Sequence, residues 1–129
     1  MVDENASLRQ MRFMVADKAR NAVLLETMII DFESMCDLLA RQIAAEELRT
    51  RINDPRHVAY SPLATAVALR RDNLRTSAGD ARVRLQGVRR ELDELTAKLW
   101  ELEEHRSYWK PEAAPIEQKP SMVNGSSSV

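Results

Sequence analysis

Along two long stretches of this chain, apolar residues recur in alternating steps of four and three. The first stripe runs Leu8, Met11, Val15, Ala22, Leu25, Ile29, Phe32, Cys36, Leu39, Ile43, and the second runs Val67, Leu74, Ala78, Ala81, Leu85, Val88, Leu92, Leu95, Leu99, Leu102, Trp109. A mean step of 3.5 residues keeps one face of a helix turned toward a neighbouring helix, which is the repeat of a coiled coil. A short segment rich in turn residues separates the stripes. The pattern therefore predicts two long helices and one connector.

The boundaries follow from local chemistry. The first helix should run from about residue 5 to about residue 52, because no proline or glycine interrupts it. At roughly 1.5 Å per residue it would be about 70 Å long. It should stop at Asn53-Asp54-Pro55, since proline lacks a donor and disfavours the helical conformation in the residue before it. Ser61-Pro62 then offers a favoured N-cap followed by proline at the first helical position, where its missing N–H is no loss. Helix 2 should continue to about Trp109 and end before Pro111. The partition expected is a hairpin over 1–109, with a turn at 53–61, and a tail over 110–129. Two helices of similar length with a short connector suit an antiparallel pairing.

Charge favours the same folding-back. If positions whose numbers sum to about 114 face each other, Glu26, Asp31, Glu33 and Asp37 pass Arg89, Arg84, Arg82 and Arg75. The acidic run from Glu91 to Glu104 then passes Lys18, Arg20, Arg12 and Arg9. Each such pair contributes only a fraction of a kcal/mol in water, yet together they penalise a parallel arrangement. Lys18, Glu46, Thr50 and Arg71 interrupt the seam, and Arg71 with Glu46 could pair across it near the turn and fix the register. Gly79 and Gly87 lie inside helix 2 on outer positions, each at a cost of about 1 kcal/mol relative to alanine.

Composition adds bounds. There are three glycines and little aromatic content among 129 residues, and the formal net charge is −1. No apolar run reaches the roughly 18 residues needed to span a bilayer, and the polar opening segment does not read as a signal peptide. One cysteine permits no disulfide within the chain, so a reducing cytoplasm is the expected setting. The Pro/Ser/Gly-rich tail 110–129 should be disordered, with Ile116 as its one candidate docking side chain.

Candidate chemistry is sparse. No phosphate-binding glycine loop or Cys-x-x-Cys occurs, and His57 and His105 fall at opposite ends of the expected hairpin, so no catalytic, cofactor or metal site is expected. Cys36 takes a seam position, where a buried inert thiol is the ordinary outcome. The arginines from Arg70 to Arg90 could follow phosphates, but the acidic block after them would repel nucleic acid. What remains is apolar surface. With Ala22 on the seam, Val23, Leu24, Ile30 and Leu38 fall outside it, and Met28 and Met35 flank it. Either self-association covers this face, or a partner docks there. Phe13 and Trp100 also fall on outer positions. In the turn, Asp54, Arg56, His57 and Tyr60 are the candidate tip contacts.

Two further segments carry a resemblance. The run Glu26-Thr-Met-Ile-Ile-Asp-Phe-Glu-Ser-Met35, and Ile52-Asn-Asp-Pro-Arg-His-Val-Ala-Tyr60 together with Arg70-Arg-Asp-Asn-Leu74, resemble the shorter branch of the bacterial flagellar export protein FliJ family over roughly residues 8–105. The resemblance implies an antiparallel coiled-coil hairpin with no ATPase activity of its own. It implies partners in the export ATPase ring, the cytoplasmic domain of the export gate and the export chaperones. It also implies a cytoplasmic setting at the membrane-bound flagellar base. The chain is shorter than better-known members, and their gate-contacting residues have no counterparts that can be carried over. A competing expectation is a regulator whose hairpin tip enters a large enzyme such as RNA polymerase.

Overall fold

The computed structural model describes residues 4–108. Trp109, Ile116 and the rest of the segment 110–129 lie outside the described residues, and with them the expected disorder of the tail. The fold is all-α, with two helices and no strand among the described residues. Helix α1 spans Glu4–Thr50 and α2 spans Pro62–Tyr108, each 47 residues long. They pack against each other as an antiparallel hairpin. Both ends of both helices fall within two residues of the sequence-based boundaries.

Each terminus has a local cause. Ser61 caps α2 as expected: its Oγ accepts the Ala64 N–H at 3.1 Å, and Pro62 occupies the first helical position. This satisfies one of the donors a helix start leaves without a partner. Helix α1 ends earlier than the proline requires. Arg51 takes a left-handed conformation (φ 62°), and its N–H reaches back to the Glu47 carbonyl at 2.8 Å. That closes the helix in the way glycine usually does, at a conformational cost glycine would avoid.

The chain forms two compact units. Among the described residues, one joins 4–15 with 93–108, and the other is Ala16–Leu92. In the larger unit, large and small side chains from both helices share the seam. Ala22, Leu25 and Ile29 are buried with Ala81 and Leu85, and Phe32 and Val88 pack against them. Cys36, Leu39 and Ala78 are also buried. Toward the connector, Ile43, Tyr60 and Ala64 form a second cluster, supported by Ile52, Val67 and Ala68. In the smaller unit Leu8 is buried, and Met11, Val15, Leu95 and Leu99 are half-buried. Leu102 departs from the expected stripe and is exposed.

Ion pairs flank these seams. Glu26 with Arg89 and Glu33 with Arg82 form as the antiparallel register requires. So do Lys18 with Glu91 at 3.1 Å and, in the smaller unit, Arg12 with Glu103 at 2.8 Å. Other expected pairs are replaced by shorter-range ones. Arg75 turns to Asp72 at 3.7 Å and Arg20 to Asp17 at 3.6 Å. Among the described residues no ion pair joins Asp31 to Arg84 or Arg9 to the acidic run. The expected Arg71–Glu46 lock is also absent: Arg71 pairs with Asp72 and Glu46 with Arg49. In each case a partner within three residues on the same helix is reached at lower entropic cost than one across the seam.

Leu25 and Leu85 lie within one buried cluster. Truncating either to alanine should cost about 2–3 kcal/mol in chemical denaturation, at the low end for buried leucines because a narrow seam can collapse. Gly87 is the converse, since a Cβ built there meets nothing within 4 Å. Gly87→Ala should raise stability by about 0.5–1 kcal/mol, measured the same way.

Candidate functional site

The connector is a bonded turn. Thr50 Oγ1 accepts the Ile52 N–H at 3.4 Å, and Asp54 Oδ1 accepts the Arg56 N–H at 2.9 Å. The Asp54 carbonyl takes the His57 N–H at 2.9 Å, and His57 Nδ1 takes that of Ala59, also at 2.9 Å. The His57 carbonyl then accepts the Tyr60 N–H at 3.0 Å. Asp54 and His57 thus serve the loop's own backbone, which is how short polar side chains hold turns. Arg56 and Val58 project from it, and Val58 is 99% exposed.

Tyr60 does not belong with them. Its place after a polar loop suggests an exposed tip residue, and the structure corrects this: the residue is only 9% exposed and packs with Ile43 and Ala64. Its hydroxyl donates to Glu47 Oε2 at 2.7 Å, tying the end of the connector to the last turns of α1. That bond, then partial burial and the Glu47 charge, hold the phenol pKa above 10.0, while Arg71 works in the opposite sense. The signal for this lies in the stripe itself. Continuing the steps of three and four backward from Val67 gives Ala64, which is 0% exposed, and then Tyr60.

The second candidate surface is the outer side of α1. Val23, Leu24 and Ile30 are about three-fifths exposed and Leu38 about half, with Met28 and Met35 less so. All six expected positions are therefore accessible. They lie in the larger unit and on one helix, while Asp54, Arg56 and His57 sit on the connector, so two separate surfaces emerge. In the smaller unit, Phe13 and Trp100 are both exposed.

Cys36 is buried on the seam, its thiol donating to the Arg71 carbonyl at 3.6 Å. Beside it runs an open groove of about 220 Å³ whose walls include Glu33, Arg75 and Arg82. Among the described residues, no cluster of three or more His, Cys, Asp or Glu could hold a metal ion. Nor is any described helix long and apolar enough to cross a membrane.

No family model, curated protein or solved structure matches this chain.

The connector's geometry makes two substitutions informative. Tyr60→Phe should lower the thermal midpoint, and the gap from wild type should close as pH rises. The folded phenol has the raised pKa, so its contribution is full below about pH 10 and is lost above it, where the unfolded chain ionises first. Melting both proteins between about pH 7 and 11 tests the sign. Arg51→Gly should stabilise the hairpin by about 1 kcal/mol in urea titration, because glycine occupies the left-handed position without strain.

Proposed function

We infer that this chain is a non-enzymatic adaptor acting by docking, and that its setting is the flagellar type III export apparatus, whose FliJ-family hairpins it resembles. Its partners in this reading are the export ATPase ring, the cytoplasmic domain of the export gate and export chaperones carrying their substrates. It works in the cytoplasm, at the membrane-bound base of the flagellum.

The observation that carries the reading is the bonded connector. Ile52 through Tyr60, the most distinctive part of the resemblance, is the segment that builds this turn. Ile52 and Tyr60 anchor it, and Asp54 and His57 bond its backbone. A loop ordered before binding loses less conformational entropy on engagement, so Arg56 and Val58 are presented at low cost. A hairpin of this kind also suits a role in which binding energy couples delivery of a chaperone–substrate complex to an ATPase motor.

The same exposed tip favours one second reading, a regulator inserting Arg56 and Val58 into a channel of a large enzyme such as RNA polymerase. A nucleic-acid role draws less support, because Arg82 and Arg89 are already engaged by Glu33 and Glu26.

Purified chain should bind a purified export ATPase or gate cytoplasmic domain in calorimetry. Arg56→Ala with Val58→Asp should weaken that binding by about tenfold or more, as loss of central contacts does, with helical circular dichroism unchanged. Binding to RNA polymerase and to neither export protein would select the regulator instead.

A further inference from the structure

The outer face of α1 is organised, and its organisation is self-complementary. Thr27 and Ser34, small and exposed, run along its midline. At 3.6 residues per turn, Val23 and Ile30 lie to one side of that line, and Leu24 and Leu38 to the other. Charges bracket the apolar centre: Asp17 and Arg20 precede it, and Asp37 and Arg41 follow it. Asp17 and Arg20 form an exposed pair 3.6 Å apart, while Asp37 and Arg41 are exposed and take part in no ion pair among the described residues. Read forward, the order is acid, base, apolar centre, acid, base. Reversed against itself, each of these four flanking charges meets its opposite, while Asp31, exposed within the centre, meets no base. In parallel, every charge meets its like.

We propose that this face binds a second copy of the chain, with the two α1 helices antiparallel. When residues whose numbers sum to about 57 or 58 oppose each other, Asp17 faces Arg41 of the second copy and Arg20 faces its Asp37. The two-fold axis repeats both pairs, as an isologous interface requires. In that register Leu24 lies over Ser34 of the second copy, a large residue over a small one, as in the hairpin's own seam. Asp31 lies beside Thr27 of the second copy and away from its own symmetry mate.

Area supports a dimer of modest strength. Val23, Leu24, Met28, Ile30, Met35 and Leu38 are between 39% and 62% exposed. Side chains of this size then leave on the order of 100 Å² each, about 600 Å² per copy, at the upper end for the largest apolar patch on a monomer. Covering that patch on both copies removes about 1,200 Å², the lower bound for a specific interface. The proposal is independent of the docking role of the connector, which lies outside this face.

Sedimentation equilibrium of the full chain tests it, across micromolar concentrations. The expected species has twice the 14.7 kDa chain mass, and Leu24→Glu with Ile30→Glu reduces it to monomer while circular dichroism stays helical. Arg41→Asp should weaken association about tenfold, because two attractive pairs become repulsive. Adding Asp17→Arg to the same chain should restore it, since the exchanged charges again meet across the axis. A monomer throughout, or a dimer untouched by the Leu24/Ile30 pair, would overturn the proposal. A dimer weakened by that pair but not rescued by the charge exchange would overturn the antiparallel arrangement.

Discussion

Two helices can share only one seam, and this limit governs the rest of the molecule. A larger bundle offers each helix two or three neighbours. Here each has one, so the burial that stabilises the hairpin must come from a strip about two side chains wide. The sequence meets the limit by pairing large against small. Leu25 and Ile29 share a cluster with Ala81, and Ile43 packs with Ala64. Alanine at these positions also costs no side-chain entropy in a helix. Anything apolar outside the strip is left to water or to another molecule, which is why the outer face of α1 stands out from the charged background.

The same limit explains which ion pairs form. Glu26 with Arg89 and Glu33 with Arg82 sit along the border of the strip, where the helices are closest and long side chains can bridge them. Arg20, Arg49 and Arg75 turn instead to carboxylates three residues away on their own helix, which they reach at lower entropic cost. Exposed pairs of either kind contribute little individually. Their joint effect is to make the antiparallel register cheaper than any shifted one.

The fold was legible because its instructions are periodic. Every residue of the α1 stripe from Leu8 to Ile43 is buried or half-buried, and Ser61-Pro62 starts α2 where capping chemistry places it. What escaped were features decided by a particular contact. That Arg51 and not Asn53 ends α1 depends on a left-handed backbone that nothing in an arginine side chain announces. Tyr60 reads as a tip residue because it follows a polar loop, although its spacing from Ala64 and Val67 continues the seam. Arg71 and Glu46 lie on seam positions, but each finds a partner within three residues of itself, and composition cannot rank those alternatives. The candidate surfaces were legible as exposure alone, since the pattern marks residues that have no place in the seam without saying what meets them.

The compact connector has a kinetic consequence. Contacts between the helices span ever longer stretches of chain: 13 residues for Tyr60 with Glu47, 49 for Arg82 with Glu33, 63 for Arg89 with Glu26 and 91 for Arg12 with Glu103. Formed from an open chain, the longest of these would close a large loop, and the entropic penalty rises with length. Once the connector has set, each further pair closes only the few residues beyond the last. The path of least entropy is therefore a zipper that starts at Tyr60 and travels toward the chain ends. Substitutions around Tyr60 should then slow refolding, while those near Leu8 should chiefly quicken unfolding. If Leu8 variants slowed refolding as much as Tyr60 variants, pairing would have to begin elsewhere. The turn that presents Arg56 and Val58 would, on this path, also be the nucleus from which the hairpin assembles.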